Sequence, residues 1–257
     1  MSNSENLKRR IRRENQCDES FNPRKYTDLN QIPESIAQFP DGKEFLVLNQ
    51  ETKDGKKLLI FMSEFGKDLL TSSQIWMCDG TFGRCPKPFQ QLYVVHSRYC
   101  DKVLPSMYAY LPNKNLETYR IMFGYLKEAV SGNIPQKIFL DLETAAIKAI
   151  NSEFGSVCSV SVCNFHFKQA LLRQVGFKGC KKLLNDDPTF KTAFDMLKAL
   201  AYVPVLHVIQ VHESVVVRHS GENTSLIKVN QENCSSILRT LTLERKPKAS
   251  ENPRCFL

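Results

Sequence analysis

Two aspartates in this chain stand at the ends of apolar runs. Asp79 closes IWMCD and is followed at once by Gly80, and Asp141 closes KIFLD. A buried strand that ends in an acid carries its carboxylate to the rim of a sheet. Two such rims side by side set two hard oxygen ligands within reach of one divalent cation. Magnesium, or manganese in its place, suits such a pair. It takes few carboxylates, keeps its waters, and can bind phosphate oxygens while activating a water or hydroxyl for attack on a phosphodiester. Ordinary roles compete: Asp79 as the start of an Asp-Gly turn, and Asp141 as the cap of a helix starting near Glu143. Glu143 is a further acid at the same rim, or a first-turn residue that complements the dipole of that helix.

Two other groups of residues bear on chemistry. CNFHF places Cys163 and His166 three apart at the end of another apolar run. A structural zinc needs about four ligands and no second pair follows at suitable spacing, so a buried cysteine and a helix-starting histidine are the plain reading. A Cys–His nucleophile is the other option, but Cys163 falls in an expected buried strand with no substrate site nearby. Near the start, LKRRIRR gathers Lys8, Arg9, Arg10, Arg12 and Arg13. This cluster could attract phosphates without sequence preference, serve as a nuclear-localisation signal, or be a solvated arm.

The elements that must position these residues are read from apolar periodicity. FLVL (45–48) and LLIFM (58–62) are strand-like and flank an Asp-Gly turn, which predicts a hairpin. IWMCD, QLYVVHSRY and LPSMYAYLP follow as three strand candidates and suggest an antiparallel meander. Leu116 to Val130 carry helical spacing, with Asn115 as N-cap and Gly132 near the stop. KIFLD is then a strand, TAAIKAINSEF a helix ended by Gly155, VCSVSVCNF a strand, and HFKQALLRQV a helix ended by Gly176. The order βββαβαβα implies an α/β protein with a mixed sheet covered by helices on both faces, the ribonuclease-H-like topology. In it the strands ending in Asp79 and Asp141 are neighbours. Beyond the core a helical pattern breaks near Pro204, and the apolar stretch after it fits helix or strand. Residues 1–44 read as a basic, partly disordered segment, 45–215 as the ribonuclease-H-like domain, and 216–257 as a loosely ordered tail.

Composition narrows the setting. With 257 residues and 42% apolar content the chain can bury a proper core. A net charge of +8 and a pI near 9.0 lean toward an anionic partner, DNA before membrane. No run of about 18 apolar residues occurs, and no apolar segment follows the basic N-terminus, so neither a membrane span nor a standard secretion signal is expected. Nine cysteines, an odd number without a close pair, fit a reducing compartment. Cys255 is placed one residue wrong for prenylation.

Over roughly residues 45–205 the chain resembles the Mutator-like element (MULE) transposases, members of the DDE superfamily. The resemblance is carried by LLIFMS, WMCDGTFGRCPKPFQQLYVVH, VLPSMYAYLPNKNLETYRIMFGYLK, FLDLETAAIKAI, VCNFHFKQALLRQV and ALAYVPV, in the family's order and approximate spacing. It implies a nuclear protein that acts on DNA, on transposon ends or nonspecifically, by metal-dependent cleavage and strand transfer. Asp79 and Asp141 would be the first two catalytic acids, and Cys163 with His166 the family's Cys-x-x-His pair in a supporting role. Homo-oligomerisation stays open. The family's third acid, a glutamate in a segment of the type Asn-Asn-x-x-Glu leading to Trp-His, has no counterpart. Trp76 is the single tryptophan, and none of Glu213, Glu222, Glu232 or Glu244 sits in the matching motif. The family's N-terminal zinc-finger module has no counterpart either. The expectation is therefore a truncated or domesticated transposase, or a fragmentary gene model, with an incomplete active site. The alternative is a non-catalytic remnant that binds DNA or protein.

Overall fold

The sheet is assembled from a hairpin, a meander and one crossover unit. In a computed structural model, which describes residue 21 and residues 23–83 and 85–220, β1 (Leu46–Glu51) and β2 (Lys57–Phe61) pair antiparallel across Gly55, whose φ of 72° suits the Asp-Gly turn. β3 (Ile75–Thr81), β4 (Gln91–Tyr99) and β5 (Lys102–Leu111) form the meander. β6 (Lys137–Leu140) runs parallel to β3, and β7 (Ser159–Val162) runs parallel to β6. The seven strands lie in the order β1-β2-β5-β4-β3-β6-β7. Read from β5 to β7, this is the ribonuclease-H-like arrangement expected from the sequence. The hairpin extends the same sheet through antiparallel pairing of β2 with β5.

Helices cover both faces. On one side α3 (Leu116–Ala129) and α4 (Thr144–Phe154) press Tyr119, Met122, Phe123, Ile147 and Ile150 onto Trp76, Tyr93, Val95, Ile138 and Leu140. Asn115 caps α3, its side-chain oxygen accepting the Thr118 N–H at 2.8 Å, and Gly155 ends α4 with a φ of 62°. The indole of Trp76 is fully buried and donates to the Leu70 carbonyl at 3.1 Å. The opposite face is covered in two patches. At the β2–β5 end, the short helix α1 (Glu34–Ala37) and the 3-10 turn Tyr26–Asn30 pack around Leu29, Leu59, Phe61 and Phe89. At the β7 end lie α5 (Asn164–Phe177), α6 (Leu183–Asp186), α7 (Pro188–Ala199) and α8 (Val205–Ser220), with Phe167, Leu171, Phe190 and Phe194 at their centre. The strip between the patches runs over β4 and β3. There Val94, Met77 and Asp79 are only half-buried.

Several local readings change. α2 (Glu64–Ser72) has no counterpart in the sequence reading; Ser63 caps it by accepting the Gly66 N–H at 2.9 Å. Gly176 does not end α5, which continues to Phe177, and the chain turns at Gly179 with a φ of 70°. The apolar stretch after Pro204 is helical and reaches Ser220. No helix among the described residues is long and apolar enough to cross a membrane.

Candidate active site

Register brings the two aspartates into step. Ile75, Trp76 and Met77 pair in parallel with Lys137, Ile138 and Phe139, so Asp79 and Asp141 stand two residues beyond the last pair on adjacent strands. Neighbouring strands are about 4.8 Å apart. Asp79 lies inside β3 rather than at its end, with Gly80 and Thr81 continuing the pairing to β4, so the Asp-Gly dipeptide is not a turn here. Asp141 is the first residue after β6. The Asp79 side chain is 48% exposed. That of Asp141 is largely withdrawn from water. Burial, then the neighbouring Glu143 carboxylate, push its pKa up to about 6, with Asp79 adding to the rise and His166 opposing it.

His166 reaches Asp79 directly. It sits in the first turn of α5, and its Nε2 lies 3.3 Å from Asp79 Oδ1. The contact is an ion pair when the imidazole is protonated. Cys163 is the N-cap residue of α5 and half-buried, one residue beyond β7. The buried-strand placement expected for it is therefore corrected: β7 is only four residues long and ends at Val162.

Glu143 occupies the N-cap position of α4 but makes no capping bond with its side chain. Its carboxylate turns toward the sheet instead. There the Tyr119 hydroxyl shares its proton between Glu143 Oε2 and Gln91 Oε1, and Gln91 Nε2 donates to Glu143 Oε2 at 3.3 Å. Lys114 Nζ stands 3.3 Å from Glu143 Oε1 and 3.1 Å above the Phe82 ring. A Cβ on Gly80 would lie 2.1 Å from Gln91 Nε2, so the glycine after Asp79 leaves room for that amide. The sequence reading missed Gln91, Tyr119, Lys114 and Phe82. Tyr119 was legible only as one apolar position of a helix stripe, and a buried glutamine at a strand start carries no local signal.

A divalent cation fits the pair. Asp141 Oδ1 is buried without a hydrogen-bond partner, and that orphaned acceptor sits amid negative charge that a cation would offset. Among the described residues no three His, Cys, Asp or Glu side chains gather around one metal position. Two carboxylates suffice for magnesium when water and phosphate oxygens complete its shell. Glu213 lies on α8 and is exposed. Glu222, Glu232, Glu244 and the basic cluster Lys8, Arg9, Arg10, Arg12 and Arg13 lie outside the described residues.

Strand order and helix placement thus define a ribonuclease-H-like α/β protein. No protein-family model matches the chain, and no curated protein matches it. Among solved structures the chain is similar to the Drosophila P element transposase strand transfer complex, at 11% sequence identity and a TM-score of 0.28. The match covers 71% of this chain and 53% of that chain, so this chain spans about half the length of the one it matches.

Proposed function

We propose that this chain is a transposase-derived domain of the Mutator-like element type that acts on DNA in the nucleus, with Asp79 and Asp141 holding one Mg2+ or Mn2+ against a backbone phosphate. The observation that carries the reading is the in-step placement of the two aspartates on adjacent parallel strands, with Asp141 Oδ1 buried and unpartnered. The net charge of +8 supports an anionic partner. Asp79 and Asp141 would bind through oxygen, and His166, with Nε2 3.3 Å from Asp79 Oδ1, would steady that carboxylate. A cation held there by Asp79 and Asp141 would supply positive charge at a phosphate oxygen and acidify a bound water. No third carboxylate completes the pair among the described residues. The reading therefore gives the chain cation-assisted binding of DNA with little or no cutting by itself.

A nicking and binding assay on transposon-end and random duplexes tests this. With Mg2+ or Mn2+ present, binding should tighten, Asp79→Asn should abolish that gain, and nicking should stay near background. Cutting that requires the metal and disappears in Asp79→Asn would replace the reading by a fully active nuclease. Binding indifferent to both metal and Asp79 would leave only a non-catalytic remnant.

A further inference from the structure

Three donors converge on Glu143 from three separate elements: Tyr119 from α3, Gln91 from β4, and Lys114 from the β5–α3 connection. Gln91 and Tyr119 are fully buried, so their polar atoms have no water to fall back on. Lys114 in turn lies over Phe82, three residues past Asp79, which closes the ring of contacts back onto β3. A carboxylate at an N-cap position usually folds back onto the first amides of its own helix. Here that carboxylate is pulled away, and both of its oxygens are occupied. Both Glu143 oxygens thus carry donors, and among the described residues no third acid gathers with the Asp79 and Asp141 pair. Its backbone is a different matter: Glu143 lies two residues past Asp141, and its N–H is near enough to the Asp141 carboxylate to favour the charged form. Whatever holds Glu143 also holds the short segment that carries Asp141 from β6 into α4.

We propose that Gln91, Tyr119 and Lys114 are positioning residues that clamp Glu143 and thereby fix the Asp141–Glu143 segment with the Asp141 carboxylate facing the cation site. The proposal rests on the reading of Asp141 as a cation ligand. It goes beyond that reading in assigning the buried polar cluster on the far side of the acid.

The test uses the full chain, Mn2+ alone as the probe, and two readouts: Mn2+ affinity by electron paramagnetic resonance, and amide hydrogen exchange at Glu143 and Ile147. The Ile147 N–H donates to the Glu143 carbonyl at 3.1 Å, so it reports the same turn. Tyr119→Phe removes one hydroxyl and keeps the ring that packs 5.5 Å from Tyr93. Lys114→Met alters a half-exposed side chain and keeps the variant set informative if the buried substitution impairs folding. Both should speed exchange at Glu143 and Ile147 and weaken Mn2+ binding, by about tenfold for Tyr119→Phe, while β4 amides keep their protection. Unchanged exchange in both variants would overturn the clamp. So would unchanged Mn2+ affinity in both when Asp79→Asn abolishes binding. If the wild-type chain takes up no Mn2+ while exchange at Glu143 still rises in Tyr119→Phe, the clamp stands and the cation reading is what fails.

Discussion

The Asp141 carboxyl holds its proton more tightly in the folded chain than in the unfolded one. Burial and then Glu143 raise its pKa from 3.8 to about 6. Stability from this group is therefore fully present below about pH 4 and is lost as pH rises through 6, a change of about 3 kcal/mol if the whole shift is realised. Asp141→Asn removes the ionisable group. In chelator, its unfolding midpoint in urea should exceed that of the wild type at pH 7.5, with the advantage shrinking toward pH 4. An advantage that is absent at pH 7.5, or the same at both pH values, would contradict the burial of this acid. At this scale the aspartates were legible because each interrupts an apolar strand with a charge. The contact between His166 and Asp79 was not, since it joins α5 to β3 across 87 positions of sequence. Gln91 was invisible for a different reason: only the space above Gly80 and the nearness of Tyr119 explain a buried amide there.

Elements were legible in proportion to their length and periodicity. α3 and α4 each bury a continuous stripe, and their limits followed from Asn115 and Gly155. α2 was missed because it is nine residues long and carries Gly66, Thr71 and Ser72, residues of low helix propensity. Its position is set by packing. Ser106 sits at a bulge where the β4–β5 register shifts, and its carbonyl approaches so closely that a Cβ on Gly66 would lie 2.2 Å from the oxygen. The obstacle is backbone, which cannot swing aside as a side chain does. Gly66→Ala, harmless in most exposed helices, should here destabilise the fold by about 3 kcal/mol through overpacking. Urea denaturation would measure it. A loss below about 0.5 kcal/mol would mean that α2 does not dock on β5 in this way.

At the scale of the whole molecule, charge acts over longer distances than any single contact. The net charge of +8 and the cluster Lys8, Arg9, Arg10, Arg12 and Arg13 suit a duplex that carries a phosphate charge every ~1.7 Å. Each neutralised phosphate releases condensed counterion, so binding through all five cations would give a slope of about −4.5 in log affinity against log salt. Between 50 and 200 mM salt this amounts to a loss of several hundred-fold, and it should be the same for transposon-end and random duplexes. Replacing the five residues by alanine should flatten the slope by nearly that amount while leaving the Asp79 and Asp141 region, and any Mn2+ uptake there, unchanged. Fluorescence anisotropy across a salt series decides. Binding that is undetectable or insensitive to salt would remove DNA as the partner. A steep slope that survives in the five-alanine variant would move the phosphate contacts from the N-terminal cluster to cations of the folded domain.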